Sequence, residues 1–237
     1  MKRGGVQLDR LTIRRGVFTI LREATLDVPS GGSLVLTGVN GIGKSTLLQV
    51  MAGLLAPAGG TIRLGNEAPE PGRPDRLIRH GVRRGCVFQQ GGLVANLTAF
   101  ANVELPLRYH ADALGLSSSV IAERARFCLE AVGVEESDMY ALPGLLSFGI
   151  RKRVAFARAV AIEPNYAFFD DPDAGLDHEN AEVVHEILMS YRDDPTVTMV
   201  VVTNHRGLIR RLACPTYELD RAALRPVDLD STRALVP

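Results

Sequence analysis

The sequence predicts an α/β fold: a mainly parallel sheet preceded by antiparallel strands and interrupted by a helical insertion. Three observations predict it. The nearly continuous apolar stretch "SLVLTG" at 33–38 runs into a glycine-rich turn and then into "STLLQVMAGLL", whose apolar spacing is helical. Short alternating segments come before that unit. After residue 150, helical and strand-like segments alternate, as a parallel sheet with crossover helices requires.

Taken in order, the segments from Val6 to Ile20 and from Ala24 to Val28 read as antiparallel strands, separated by Gly16 and closed by "PSGG". The apolar strand at 33–38 has the composition of one covered on both faces. Residues from about 98 to 145 read mainly as helices ("AFANVELPLRYHADAL", "VIAERARFCLEAVGV"). A further helix, the strand "YAFFD", a helix near 178–192 and the strand "VTMVVVT" complete the pattern. No internal repeat or low-complexity linker divides the chain, so a single domain over 1–237 is expected: core and antiparallel strands at about 1–90 and 151–237, helical subdomain at about 91–150.

Bulk properties narrow the function. The 237 residues, 46% hydrophobic, can fill a substantial core. Lys plus Arg and Asp plus Glu balance at 27 each, so no global field draws the chain to nucleic acid or to an acidic membrane. Cys86, Cys128 and Cys214 are odd in number and scattered, which suits a reducing compartment. The opening "MKRGGVQLDRLTIRRG" lacks the apolar core of a signal peptide, and the longest apolar runs are too short to span a bilayer. A cytoplasmic chain without membrane insertion is expected, docked on the membrane only through a partner.

The strongest motif is "GVNGIGKST" at 38–46, which matches G-x-x-x-x-G-K-[ST] at Gly38, Gly43, Lys44 and Ser45. Val39, Asn40, Gly41 and Ile42 form the span that curls its amides toward phosphate oxygens, and Thr46 follows inside the helix. Lys44 would bridge the β- and γ-phosphates and the Ser45 hydroxyl would ligate Mg²⁺. In "YAFFDDPDAGLD", Asp170 and Asp171 stand where an apolar strand ends, the place where open α/β sheets collect ligands. Asp170 would hold the Mg²⁺ hydration shell, and Asp171 would orient or deprotonate an attacking water.

In this order, "GVNGIGKST", "VFQQ", "LSFGIRKRVAFARAV", "FFDDP", "AGLD" and "VVVTNH" resemble the ATP-binding cassette (ABC) ATPases, over nearly the whole chain. The resemblance implies a P-loop NTPase core with an N-terminal antiparallel β subdomain and a helical insertion. It also implies ATP and Mg²⁺ as cofactors and a head-to-tail dimer in which the phosphate loop of one cassette faces the signature of the other. By the same resemblance, Gln89 is the glutamine that touches Mg²⁺ or water and relays to a transmembrane permease. Ser147 and Gly149 meet the partner's γ-phosphate, and Asp177 couples the two sites. The adenine-stacking aromatic of the family falls at Arg15. A guanidinium plane can stack on adenine, and a solvated surface arginine is the alternative.

Three positions depart from the family pattern. Asp171 stands where the base is usually Glu, one methylene longer. Asn204 occupies the position of the switch histidine, with His205 one residue later. Asn204 can donate an amide hydrogen bond to the γ-phosphate but carries neither a proton nor a charge, and His205 serves only if the loop shifts by one residue. Phe148 replaces the first glycine of Gly-Gly after the signature serine. Its ring points away from the nucleotide, wedges the sandwich open, or is ordinary core at a helix start. Arg151, Lys152 and Arg153 crowd the first turns of the helix that follows, where the macrodipole disfavours cations. A local anion would offset that cost, and a solvated basic face is the other reading.

Residues 87–108, "VFQQGGLVANLTAFANVELPLR", look most like the ATPase of the Mla/MCE phospholipid-transport systems of bacterial envelopes. The resemblance implies an ATPase that drives a permease from the cytoplasmic face of the inner membrane, as a homodimer in preference to a heterodimer. The alternative is a nucleotide-binding regulatory or structural subunit, impaired in hydrolysis and paired with a more active cassette.

Overall fold

The computed structural model describes residues 4–228; residues 1–3 and 229–237, the ends of the domain expected from the sequence, lie outside the described residues. Its elements, in chain order, are β1 (Val6–Arg15), β2 (Phe18–Val28), β3 (Ser33–Thr37), α1 (Lys44–Met51), β4 (Gly59–Leu64), α2 (Pro74–Arg79) and β5 (Arg84–Val87). Then follow α3 (Ala99–Tyr109), α4 (Ala111–Leu114), α5 (Ser118–Ala131), α6 (Glu136–Met139), a 3₁₀ turn (Pro143–Leu145), α7 (Phe148–Val160), β6 (Tyr166–Asp170) and α8 (His178–Asp193). The last elements are β7 (Thr198–Val202), α9 (Arg206–Leu212), β8 (Thr216–Asp220) and β9 (Ala223–Pro226). The chain separates into two units, one formed by the residues up to Gly72 together with those from Met189 onward, the other by Arg73–Leu188.

In the first unit β1 lies between β2 and β4, antiparallel to both. The hairpin is longer than the sequence suggests, because β2 begins at Phe18 rather than Ala24. Ile13 pairs with Leu21 but Arg14 pairs with Thr19, so Ile20 is an extra residue in the ladder. That bulge lets both Ile20 and Leu21 be buried and breaks the alternation by which a strand is read. β3 runs parallel to both β7 and β8, with Leu34 opposite Val200 and Leu36 opposite both Val202 and Tyr217. Leu34, Val35 and Leu36 of β3 and all five residues of β7 are buried, as the apolar runs require.

In the second unit β5 pairs in parallel with β6, whose five residues are all buried. Helix α3 packs on α5 and α7, and α7 also packs on β5. The rings of Phe156 on α7 and Phe169 on β6 stack with centroids 5.3 Å apart, which fixes the helix over the end of that strand. Among the described residues no helix is long and apolar enough to cross a membrane.

Candidate nucleotide and catalytic site

The phosphate loop is built by two steric constraints. Gly38 leaves β3 with φ 142°, and a Cβ there would lie 2.6 Å from the Leu219 carbonyl oxygen. Gly43, with φ 112°, caps α1, and a Cβ there would lie 2.5 Å from the Ile20 side chain. Only glycine meets both the backbone conformation and the lack of space. Lys44 is buried, and its ammonium donates to the carbonyls of Gly38 at 2.7 Å and Val39 at 3.2 Å. An ammonium has three donors, so one is left for a phosphate oxygen. Ser45 and Thr46 sit half-buried in the first turn of α1, and Val39, Asn40 and Gly41 are exposed.

Asn204 and His205 take different places. The Asn204 side-chain oxygen accepts from Thr37 Oγ1 at 3.0 Å and from the Gly38 N–H at 3.2 Å, while its Nδ2 donates to Asn40 Oδ1 at 3.0 Å. Asn204 is therefore tied into the phosphate loop from both ends of its amide. The N–H of His205 donates to Thr203 Oγ1 at 3.0 Å, His205 stands at the N-cap of α9, and its ring folds back over Gly207.

Arg15 ends β1 and is exposed beside the tight turn of Gly16 and Val17. Its cross-strand partner is Phe18, a ring 74% exposed. Phe18 stands two residues along β2 from Ile20, the side chain packed on Gly43, a chain distance of roughly 7 Å. The family pattern points to the residue before Gly16, and Phe18 lies after it, on the other side of the turn.

In the second unit Asp170, 4% exposed, closes β6. Asp171 follows in the left-handed region at φ 42°, unusual for a residue with a side chain. Its carbonyl accepts a hydrogen bond from Lys152 Nζ of α7 at 3.0 Å. Burial pushes the Lys152 ammonium below its ordinary value, against the opposing pull of Asp171, Asp170 and Asp173. Asp173 in turn meets His185 Nε2 of α8 at 2.9 Å, with both side chains buried.

Gln89 is exposed, two residues beyond the end of β5. The segment after it is held by two side chains with no role in the sequence reading. Arg158 donates to the carbonyls of Gly91 and Gly92, each at 2.8 Å. The fully buried Asn102 accepts from the Val94 N–H and donates to the carbonyls of Val94, Leu97 and Thr98.

Ser147 is the N-cap of α7, accepting from the Ile150 N–H at 3.2 Å. The Phe148 ring lies against Gly175 in the same chain, 3.1 Å from where a Cβ would be. A Cβ on Gly149 would meet the Asn180 side chain at 2.8 Å. Asn180 donates through its backbone N–H and its side chain to Asp177, and these bonds, the backbone one first, hold that carboxyl below its usual range. Residues 148–149 therefore rest on the Gly175–Asn180 segment. The basic cluster behind them is bonded within the chain: Arg151 donates to the Leu146 carbonyl at 2.7 Å, Lys152 to that of Asp171, and Arg153 to that of Gly133 at 2.8 Å. Successive helical side chains point about 100° apart, so each cation reaches its own carbonyl.

A strand ending in a glycine-built loop with a buried lysine, beside a parallel sheet, defines a P-loop nucleoside triphosphatase. The family model for ABC transporters matches residues 21–174, and the chain belongs to that family and is an ATPase of it. It is 38% identical to the arginine transport ATP-binding protein ArtP of Escherichia coli K12, over 88% of this chain and 85% of that one. It is 32% identical to the lipoprotein-releasing system ATP-binding protein LolD of Protochlamydia amoebophila, over 86% and 88%. It is 33% identical to the intermembrane phospholipid transport system ATP-binding protein MlaF of Escherichia coli K12, over 84% and 72%. Among solved structures it resembles the dimeric, post-hydrolysis state of the ATP-binding cassette MJ0796 bound to ADP and Pi, with TM-score 0.84, 30% identity, and coverage of 94% of this chain and 98% of that one. The α/β core with an antiparallel β subdomain and helical parts is the fold of these cassettes.

Proposed function

We propose that this cassette hydrolyses ATP in a head-to-tail homodimer and drives a permease that moves phospholipid in a bacterial envelope. The catalytic part rests on one feature within each unit: a loop built to hold phosphate, with Lys44 at its base, and Asp171 presented by a left-handed turn at the end of a buried strand. Lys44 holds the β- and γ-phosphates, Asp171 orients the attacking water and accepts its proton, and Ser147 and Gly149 face the nucleotide of the second subunit. Ser45, Gln89 and Asp170 offer oxygen donors only, the set that suits Mg²⁺, which when bound neutralises charge on the β- and γ-phosphates. Phe18, with Arg15 opposite it, supplies the stacking surface for adenine that a residue before Gly16 supplies elsewhere in the family.

The permease reading is supported by a groove of about 480 Å³ beside the Gln89 segment, lined among others by Arg84, Phe88, Leu105, Tyr109 and Arg158. Leu105 and Tyr109 are exposed there, as a surface awaiting a partner segment would be. Docking on a permease places the chain on the cytoplasmic face of the inner membrane without insertion. Phospholipid is favoured as cargo by the wording of residues 87–108 and is in keeping with the likeness to MlaF. ATP-dependent transfer of fluorescent phospholipid by the chain reconstituted with its co-purified permease is the expected result. Transfer of arginine and not lipid would contradict it.

One observation favours the second reading, a regulatory subunit that binds ATP and scarcely hydrolyses it. The Asn204 amide is engaged with Thr37, Gly38 and Asn40, where the family pattern has a histidine. Phosphate release indistinguishable from that of Lys44→Ala would support it.

A further inference from the structure

Lys152 is 1% exposed, although it lies in the first turns of α7, where the helix dipole opposes a positive charge. Burying an ammonium is costly unless it is paired, so a position with no task beyond packing would carry an apolar side chain. The Lys152 ammonium donates to a main-chain oxygen, that of Asp171. Asp171 is also the residue at φ 42°, a conformation that persists only where the surroundings hold it.

The geometry around the pair is fixed. Phe156 lies four residues from Lys152, on the same face of α7 and about 6 Å along it. Its ring stacks on Phe169, and the next residue but one along the chain is Asp171. One helix face therefore grips the end of β6 twice, by a ring and by an ammonium. Around that ammonium stand the carboxylates of Asp171, Asp170 and Asp173, and Asp173 is itself held by His185.

We infer that Lys152 is a positioning residue, which by bonding the Asp171 carbonyl holds the positive-φ turn that aims the Asp171 carboxylate at the attacking water. The inference rests on the reading of Asp171 as the base. It makes the reach of that short carboxylate depend on the helix bearing the signature.

Two substitutions separate the hydrogen bond from mere filling of space. Lys152→Gln keeps an N–H donor near the carbonyl, and Lys152→Met keeps the length and loses the donor. For Lys152→Met, kcat is expected to fall on the order of a hundredfold, as about 1 Å of misplacement does, with KM for ATP and affinity for N-methylanthraniloyl-ATP within twofold of wild type. Lys152→Gln is expected to keep kcat within about fivefold. Wild-type kcat in Lys152→Met, or equal losses in both variants, would overturn the inference. If the Met variant does not fold, Lys152→Gln and Lys152→Arg decide: a folded donor-bearing pair with kcat below a tenth of wild type would overturn it. A crystal structure of the folded variants gives a readout independent of turnover. Residue 171 is expected to leave the positive-φ region in Lys152→Met and stay there in Lys152→Gln; an unchanged φ in Lys152→Met would overturn the hold even if the wild-type protein proved no faster than Lys44→Ala, the result that sinks the ATPase reading itself.

Discussion

The side-chain oxygen of Asn204 accepts the N–H of Gly38 at 3.2 Å, joining the end of β7 to the first glycine of the phosphate loop. The same amide reaches Asn40 through its nitrogen, so the loop is braced at two of its own residues. Asn204 is thereby part of the loop's own hydrogen bonding.

Removing that brace should therefore weaken nucleotide binding before it alters chemistry. Asn204→Ala leaves the buried Gly38 N–H without this acceptor, at a cost of about 1 kcal/mol, or roughly fivefold in affinity. Titration with a fluorescent ATP analogue measures it. Unchanged affinity would mean that the brace contributes nothing to the nucleotide site.

Phe18 is expected to matter through the base and not the phosphates. Stacking on an aromatic ring contributes about 1–3 kcal/mol per base, so Phe18→Ala should raise KM for ATP about tenfold and leave kcat within twofold. Arg15→Ala should have the smaller effect, since a guanidinium offers less stacking surface. A Phe18→Ala enzyme with wild-type KM would place the adenine elsewhere.

Phe148 rests on Gly175 of its own chain, which supports the reading of a ring turned aside from the partner's nucleotide. Phe148→Gly should lower thermal stability, by about 1–2 kcal/mol for the lost burial and the added backbone freedom, with turnover within threefold. A rise in turnover of tenfold or more would show that the ring obstructs closure.

Asp171→Glu probes reach. If the shorter carboxylate stands about 1 Å from its best position, restoring the methylene should raise kcat by up to about a hundredfold. An unchanged or lower rate, measured by phosphate release at saturating ATP, would contradict the geometric account and would point to a turn already matched to aspartate.

Much of this was legible in the sequence where the chain's own covalent rules decide. Gly38 and Gly43 announce the phosphate loop because no other residue adopts those φ values in that space, and the apolar run before Asp170 announces a strand covered on both faces. The bulge at Ile20 was not legible, since it breaks the two-residue period by which strands are read, and with it the start of β2 and the place of Phe18 were missed. Spacing alone does not separate Asn204 from His205; the hydrogen bonds to Thr37 and Gly38 tie Asn204 to the phosphate loop. The basic cluster at 151–153 leaves an anion site and a solvated basic face open in the sequence, which places the three cations together, whereas the helix sends them to the carbonyls of Leu146, Asp171 and Gly133.

Steady-state phosphate release by the purified protein, compared with Lys44→Ala under the same conditions, tests the central claim most directly. A rate clearly above that of Lys44→Ala, raised further when the permease is present, is the result expected of an ATPase that works with a shortened base. A rate equal to that of Lys44→Ala, with or without the permease, would contradict it.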